Sequence, residues 1–499
     1  MSTSPRALPQ WRELAEHQRG LADVSIGQLF AAEPSRATSM TFDAAGLRVD
    51  MSRHRITAET LSLLLALAQT MDVEGWRNRL LAGEAINNTE KRAATHMALR
   101  GPGSDGAPFL RFAEALRAGT VKGTNGATID TVICLGIGGS DLGPRLVTQA
   151  LGAATGPRLH FVANIDPVEL ADALADAAPK RTLVVAISKS FTTLETLENL
   201  RAALCWLRAG SIADVGQHVL AVTSQPARAK AFAQQEGFVL NDPSILTFDE
   251  TIGGRYSVWS ACGLPVAIAH GADRFRQLLA GAAAMDTHFT GTPLEANVPV
   301  LLALLQLWYV NFWGVRTRAV MPYAQRLRLL PAYLQQLEME SLGKRVGRDG
   351  QPLDYDTVPV VWGDVGSTAQ HSVFQFLHQG THFSPVEFVT SARFAASTER
   401  REKLLYMNAV AQADALAFGD DVLGTGGTPA PAHAAVPGNR PSSFIALPDL
   451  DARSLGALLA MYEHRTFAAA VLWNINAFDQ WGVEVGKKLL TQRLQGEPR

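Results

Sequence analysis

Residues 188–193 read Ser-Lys-Ser-Phe-Thr-Thr and place four hydroxyls in six positions. The apolar stretch 182–187 runs directly into them and a helical pattern follows from 193, so they fall where a strand hands over to a helix. Such a junction offers an anion side-chain hydroxyls as well as the unpaired N–H groups and positive dipole of a helix start. A single Ser or Thr there would be ordinary N-capping. Four of them (Ser188, Ser190, Thr192 and Thr193), with the Lys189 backbone between, favour a phosphate-binding turn. A second small-residue turn, Gly136-Ile-Gly-Gly-Ser-Asp-Leu-Gly143, follows the apolar stretch 131–135. Gly139 and Ser140 would let backbone amides approach an anion there, but Asp141 stands where a dinucleotide fingerprint needs its third glycine. No GxxxxGK[ST] pattern occurs, so a nucleoside-triphosphate loop is not supported.

A third feature is Gly253-Gly254-Arg255-Tyr256-Ser257. The paired glycines are expected to set an unusual backbone turn that aims the arginine into a cleft, where a permanent cation would stand beside developing negative charge. Farther along, Glu340, His378 and Lys487 each fall at a helix end or a glycine turn. Taken singly, each reads as a solvated or packed side chain, and spacing alone does not bring them together.

These candidates need a scaffold. Short apolar stretches at 131–135, 159–163, 182–187 and 218–222 alternate with helical patterns at 141–151, 193–208 and 226–236, and Asp166-Pro167 opens another helix with a cap residue and a first-turn proline. Strands that are apolar throughout, alternating with helices, imply a parallel sheet covered on both faces. A looser series begins near 318, with candidate strands at 319–321, 357–361 and 386–389. The fold expected is α/β: two doubly wound parallel-sheet lobes with helical N- and C-terminal extensions. Residues 1–125 read as mainly helical and pack on the lobes, 126–285 form the first lobe, and 286–499 form the second with the C-terminal helices. Residues 424–441 read as a long loop between helices. Ligands of open α/β sheets collect at the carboxyl ends of the strands, where the three turns fall.

Composition narrows the partners. A 499-residue chain with 47% hydrophobic and 18% charged residues is a globular chain of more than one domain. A formal net charge of −2 argues against a nucleic-acid or anionic-membrane surface, though one locally positive pocket remains compatible with it. The apolar run 298–315, interrupted by Pro299, Gln306 and Asn311, reads as a buried core helix and not a membrane span. Cys134, Cys205 and Cys262 lack CxxC spacing and read as small buried hydrophobes in a reducing compartment, and the N-terminus shows no signal-peptide pattern. A cytoplasmic protein is expected.

Taken together, the segments resemble the glucose-6-phosphate isomerase family. Glu250-Thr-Ile-Gly-Gly-Arg-Tyr-Ser-Val-Trp-Ser-Ala-Cys-Gly263 is similar to one family signature and Phe478-Asp-Gln-Trp-Gly-Val-Glu-Val-Gly-Lys487 to the other. Further similar stretches lie at 88–100, 136–144, 188–193, 333–344 and 378–381, in the family's order and across most of the chain. The resemblance implies two sugar-isomerase (SIS-type) lobes, a homodimer, no metal or other cofactor, and interconversion of glucose 6-phosphate and fructose 6-phosphate in glycolysis and gluconeogenesis. By the same resemblance, Gly139, Ser140, Ser188, Lys189, Ser190, Thr192 and Thr193 hold the substrate phosphate. Glu340 corresponds to the base that moves a proton between C2 and C1, and Arg255 to the cation stabilising the cis-enediolate. His378, contributed by the partner subunit, and Lys487 correspond to the groups that open the sugar ring. Gln336 and Gln480 correspond to substrate-contacting amides, and Glu195 to a carboxylate orienting the histidine. Leu342 stands where the family often has Asn, and Ser190 where it often has Thr. A non-catalytic sugar-phosphate sensor on the same fold would keep the 188–193 turn without needing Glu340 and Arg255. The isomerase lobe of an amidotransferase would need an N-terminal nucleophilic cysteine, and Cys134 is the first cysteine here.

Overall fold

Eleven strands build two sheets in the computed structural model, which describes residues 4–101, 107–423 and 431–496. In chain order they are β1 (Thr41–Ala44), β2 (Leu47–Asp50), β3 (Thr131–Leu135), β4 (Arg158–Val162), β5 (Thr182–Ile187), β6 (Val219–Thr223), β7 (Ile245–Thr247), β8 (Thr317–Pro322), β9 (Val360–Trp362), β10 (Val386–Ser391) and β11 (Ser442–Leu447). The first sheet has the order β4-β3-β5-β6-β7 and every pairing in it is parallel. Its central strands β3, β5 and β6 are buried along their whole length, as uniformly apolar strands covered by helices must be. Helices Leu142–Ala150, Pro167–Ala175, Leu194–Ala209 and Pro226–Gln235 supply the crossovers. Asp166 caps its helix by accepting from the Val168 N–H, with Pro167 at the first helical position.

The second sheet, β1-β2-β11-β10-β8-β9, is mixed. Strands β8 to β11 run parallel, while the β1–β2 hairpin adds two antiparallel strands at one edge. The hairpin comes from the N-terminal region expected to be mainly helical. Strand β2 alternates buried and exposed residues, Leu47 and Val49 inward, a two-residue period too short to stand out among the surrounding helical patterns. Strands β7 and β11 were not expected either. The first is three residues long, and the second starts Ser-Ser and follows the 424–441 segment. Residues 424–430 lie outside the described residues, and the segment leads into β11 and not into a helix. The 285/286 boundary suggested by the sequence falls inside helix Ala272–Gly291.

The main core is helical. Helix Val298–Phe312 is buried from Val298 to Val310, and in helix Ala452–Leu472 every residue except Arg453 is buried. Helix Ala272–Gly291 packs on the latter with almost no side chain between. A Cβ on Gly281 would sit 1.8 Å from the Arg453 carbonyl oxygen, and one on Gly456 would sit 2.0 Å from that of Leu278. Among the described residues, no helix is long and apolar enough to cross a membrane. Cys134 and Cys262 are buried as expected, whereas Cys205 is exposed on the outer face of helix Leu194–Ala209.

Candidate active site

The 136–140 turn leaves β3 and the 188–193 turn leaves β5, so the two lie at the carboxyl ends of adjacent parallel strands. In the second turn the hydroxyls pair with each other. Ser188 Oγ lies 3.1 Å from Thr193 Oγ1, and Ser190 Oγ lies 2.7 Å from Thr192 Oγ1. Thr193 occupies the N-cap of helix Leu194–Ala209, yet its hydroxyl makes no capping bond. The capping reading therefore fails, and the first-turn N–H groups of that helix are left for something else. Phe191 takes a left-handed φ of 49° at the centre of the turn, an unfavourable conformation for a residue of its size that burial of its ring against Phe232 offsets.

Lys189 points away from that cradle. Its Nζ donates to the carbonyl oxygens of Glu250 and Ile252, each at 2.7 Å, and burial, aided by nearby Arg92, brings its pKa down to about 8. Only its backbone is available to an anion in the turn. The same contact ties the hydroxyl turn to the residues just ahead of Gly253. Glu195 is half-buried in the first turn of the following helix.

Arg255 is 5% exposed and sits in a tight turn, Gly254–Trp259, after β7. The glycines ahead of it do not take an unusual conformation. Gly253 has φ −64°, and Gly254 is absent from the residues with positive φ. What that turn requires is close approach. A Cβ on Gly139 would fall 2.0 Å from the Gly254 carbonyl oxygen, so the glycine turn after β3 and the arginine turn pack backbone against backbone. Ser257 Oγ adds a 3.4 Å bond to the Gly139 carbonyl, and Ser140 is half-buried beside it.

The guanidinium is held from every side. Its Nε donates to Ser341 Oγ at 2.6 Å, Nη1 to Gln480 Oε1 at 3.0 Å, and Nη2 to the carbonyls of Ala477 and Asp479. Nη1 also lies 3.3 Å from Glu340 Oε2. Glu340 ends a π-helical turn, Gln335–Glu340, between β8 and β9, and such turns recur at functional sites. Gln336, on the same turn, reaches the first sheet, and a Cβ on Gly138 would lie 2.8 Å from its Nε2. Gln336 and Glu340 are both half-buried, open to a ligand. The structure thus links Gly139, the 188–193 turn, Arg255, Gln336, Glu340 and Gln480 into one cluster.

Two expected members are elsewhere in the chain. His378, on helix Phe374–Gln379, has its Nε2 2.8 Å from Gln412 Oε1, while Nδ1 is buried with no partner among the described residues. Lys487 lies on helix Glu484–Gly496, 68% exposed, and donates to Glu484 Oε1 at 2.8 Å. Among the described residues no hydrogen bond or ion pair links either one to Arg255, Glu340 or Glu195. Around Lys487, Trp481, Val483, Val485, Leu489, Leu490 and Leu494 are all exposed.

A family model described as phosphoglucose isomerase matches residues 50–498. The chain belongs to the phosphoglucose isomerase family. It is 44% identical to the glucose-6-phosphate isomerase of Dechloromonas aromatica (strain RCB), covering 99% of this chain and 96% of that one. It is 43% identical to that of Roseiflexus castenholzii, over 97% and 92%. Its fold matches the crystal structure of a glucose-6-phosphate isomerase from Chlamydia trachomatis with a TM-score of 0.86 and 30% identity, over 99% and 96%.

Within the phosphoglucose isomerase motifs, Ser341, Tyr256, Asp479, Lys344 and Thr89 received no role from sequence and prove central to the cluster. Ser341 Oγ accepts from Arg255 and lies 3.1 Å from the Tyr256 hydroxyl. Asp479 accepts from Lys344 Nζ at 2.7 Å and from Thr89 Oγ1 at 2.6 Å, which fixes the strand of chain that presents Gln480. Burial lowers the Lys344 pKa, with Asp479 opposing the shift. All five sit inside the family-like stretches, but their pairings span 85 to 390 residues and no spacing rule reports them. Leu342 is fully buried in the main hydrophobic core, so an apolar side chain suits that position in this family member.

Proposed function

We propose that this chain interconverts glucose 6-phosphate and fructose 6-phosphate as a cytoplasmic homodimer. Glu340 is the base and Arg255 the electrophilic partner of an enediolate mechanism. The observation that carries this reading is the 3.3 Å Arg255–Glu340 pair beside the hydroxyl turn. A proton α to a carbonyl is weakly acidic, so a carboxylate base needs strong stabilisation of the anion it creates, and a pre-positioned guanidinium supplies it. Glu340 takes the proton from C2 and returns it to C1 by a short swing, while the enediolate oxygen faces Arg255. The phosphate, on Ser188, Ser190, Thr192, Thr193 and the backbone of Gly139, Ser140 and Lys189, contributes binding energy remote from the reacting carbons and holds them over the base. Gln336 and Gln480 belong to the same cluster. No step changes the net oxidation state of the sugar.

Ring opening needs a proton donor and an acceptor at once, and His378 with Lys487 fills those roles in our reading. Their placement away from Glu340 in one chain accords with a site completed by a second copy. The exposed apolar run from Trp481 to Leu494 fits burial against that copy, with Glu195 orienting the incoming histidine. We further place one SIS-type lobe around each sheet. A pure sugar-phosphate sensor would have no use for the Arg255–Glu340 pair. The test is to incubate purified protein with fructose 6-phosphate and excess chelator and to assay glucose 6-phosphate. Turnover is expected, and activity that requires added metal would overturn the mechanism.

A further inference from the structure

The π-helical turn that presents Gln336 and Glu340 on one side carries Leu337 and Glu338, both fully buried, on the other. Glu338 Oε1 accepts from Arg318 Nη2 on β8 at 2.5 Å. Arg318 Nη1 is ion-paired to Glu387 on β10, and Glu387 accepts from Arg465 Nη1 on helix Ala452–Leu472. Tyr462 donates to Glu387 Oε2 at 3.0 Å, and Arg465 Nε donates to Gln306 Oε1 at 3.1 Å. The four charged side chains are 0–5% exposed, and their formal charges cancel. Burial pushes the Glu387 pKa up, but the guanidiniums of Arg318 and Arg465 outweigh it and hold it down at about 2.

A buried ion chain is a poor device for stability, because removing four charges from water costs about what their attraction returns, and apolar side chains would serve as well. Its distinctive property is direction. The Arg318 guanidinium hydrogen-bonds Glu338 and is ion-paired to Glu387 on a second element, which ties the turn to β8 and β10, whereas Leu337 packing into the core leaves rotation of the turn freer. That rotation sets where the Glu340 carboxylate points relative to Arg255.

We propose that Glu338, held by Arg318, is a positioning residue that sets the aim of Glu340. The proposal rests on the reading of Glu340 as the base. An off-aim base still binds substrate through the phosphate turn, but it returns the proton slowly, so the enediolate lives longer and the abstracted proton has more time to exchange with solvent.

The experiment compares full-length wild type, Glu338→Gln, Arg318→Lys and Glu340→Gln in deuterium oxide with protonated fructose 6-phosphate. It reads kcat, KM, the thermal midpoint and deuterium incorporated per glucose 6-phosphate formed. For Glu338→Gln and Arg318→Lys we expect kcat to fall by about 10- to 100-fold with KM within about twofold of wild type. Deuterium per turnover should rise above the wild-type value, a ratio that does not depend on how many molecules are folded. Wild-type kcat in either folded variant overturns the proposal. So does a loss of kcat with unchanged deuterium per turnover, or failure of both variants to fold, since the chain would then serve folding alone. An inactive wild type, or full activity in Glu340→Gln, would instead overturn the reading of the site itself.

Discussion

Arg255 and Lys487 are both cations in the matched motifs, and the structure treats them in opposite ways. Arg255 is 3% exposed at its side chain and has its Nε and both Nη atoms engaged. Lys487 is 68% exposed and, among the described residues, bonds only to a glutamate one helical turn away. His378 is closer to Lys487 in this respect. It is half-buried against Gln412 and Phe374, and among the described residues no hydrogen bond or ion pair joins it to the Arg255 cluster. Within one chain the Arg255–Glu340 cluster is therefore assembled, and among the described residues neither His378 nor Lys487 is bonded to it. Pre-organisation is worth most where charge develops in the transition state, which is at the enediolate. In the function proposed above, ring opening falls to His378 and Lys487, which a second subunit would bring to the cluster.

The sharpest way to break this contrast is Glu340→Gln. Loss of the base should lower kcat by about 10³-fold while KM for fructose 6-phosphate moves little, as measured by steady-state kinetics. Arg255→Lys keeps the charge but loses the fork that reaches Ser341, Gln480 and Glu340 together. A fall of about 10²-fold in kcat/KM is expected, and a near-neutral result would show that the charge alone suffices.

Ser188→Ala or Thr193→Ala removes one hydroxyl from the phosphate turn. A rise in KM of about tenfold, equivalent to about 1.5 kcal/mol, is expected, with a smaller change in kcat. The least effect in absolute signal, and the one that most sharpens the contrast, comes from mixing. Glu340→Gln and His378→Ala should each be nearly inactive alone. If His378 serves the partner's site, dissociating and reassociating a one-to-one mixture makes mixed dimers with one intact site, and about a quarter of wild-type activity returns. No recovery would place His378 in its own chain's site.

The first sheet could be read from sequence almost strand for strand, because β3 and β5 are continuous apolar runs ended by turn residues, at 131–135 and 182–187. The β1–β2 hairpin and the three-residue β7 were not legible, since they carry too few residues to show a period. Residue type identified Glu340 and Arg255 as able to do chemistry, but not as neighbours. The Arg255 turn is seated by Gly139 and Gly254 meeting backbone to backbone and by Lys189 clamping the carbonyls of Glu250 and Ile252, and Arg255 then reaches the Glu340 turn through Ser341. Those contacts join different turns, and no local pattern encodes them. Arg318, Glu338, Glu387 and Arg465 were invisible for a related reason. Each alone is an ordinary charged residue in an apolar context, and only the fold shows that they complete one another.

Exposure of Cys205 also makes the molecule easy to instrument. Burial pushes the thiols of Cys134 and Cys262 up and out of reach, so a maleimide dye would attach at one place. That place is on helix Leu194–Ala209, whose first turn adjoins the hydroxyl cradle, and the fluorophore would sit on the outer face of the element that sugar phosphate is expected to touch first. Titrating such a conjugate with fructose 6-phosphate would read occupancy of the phosphate turn by itself, without waiting for chemistry.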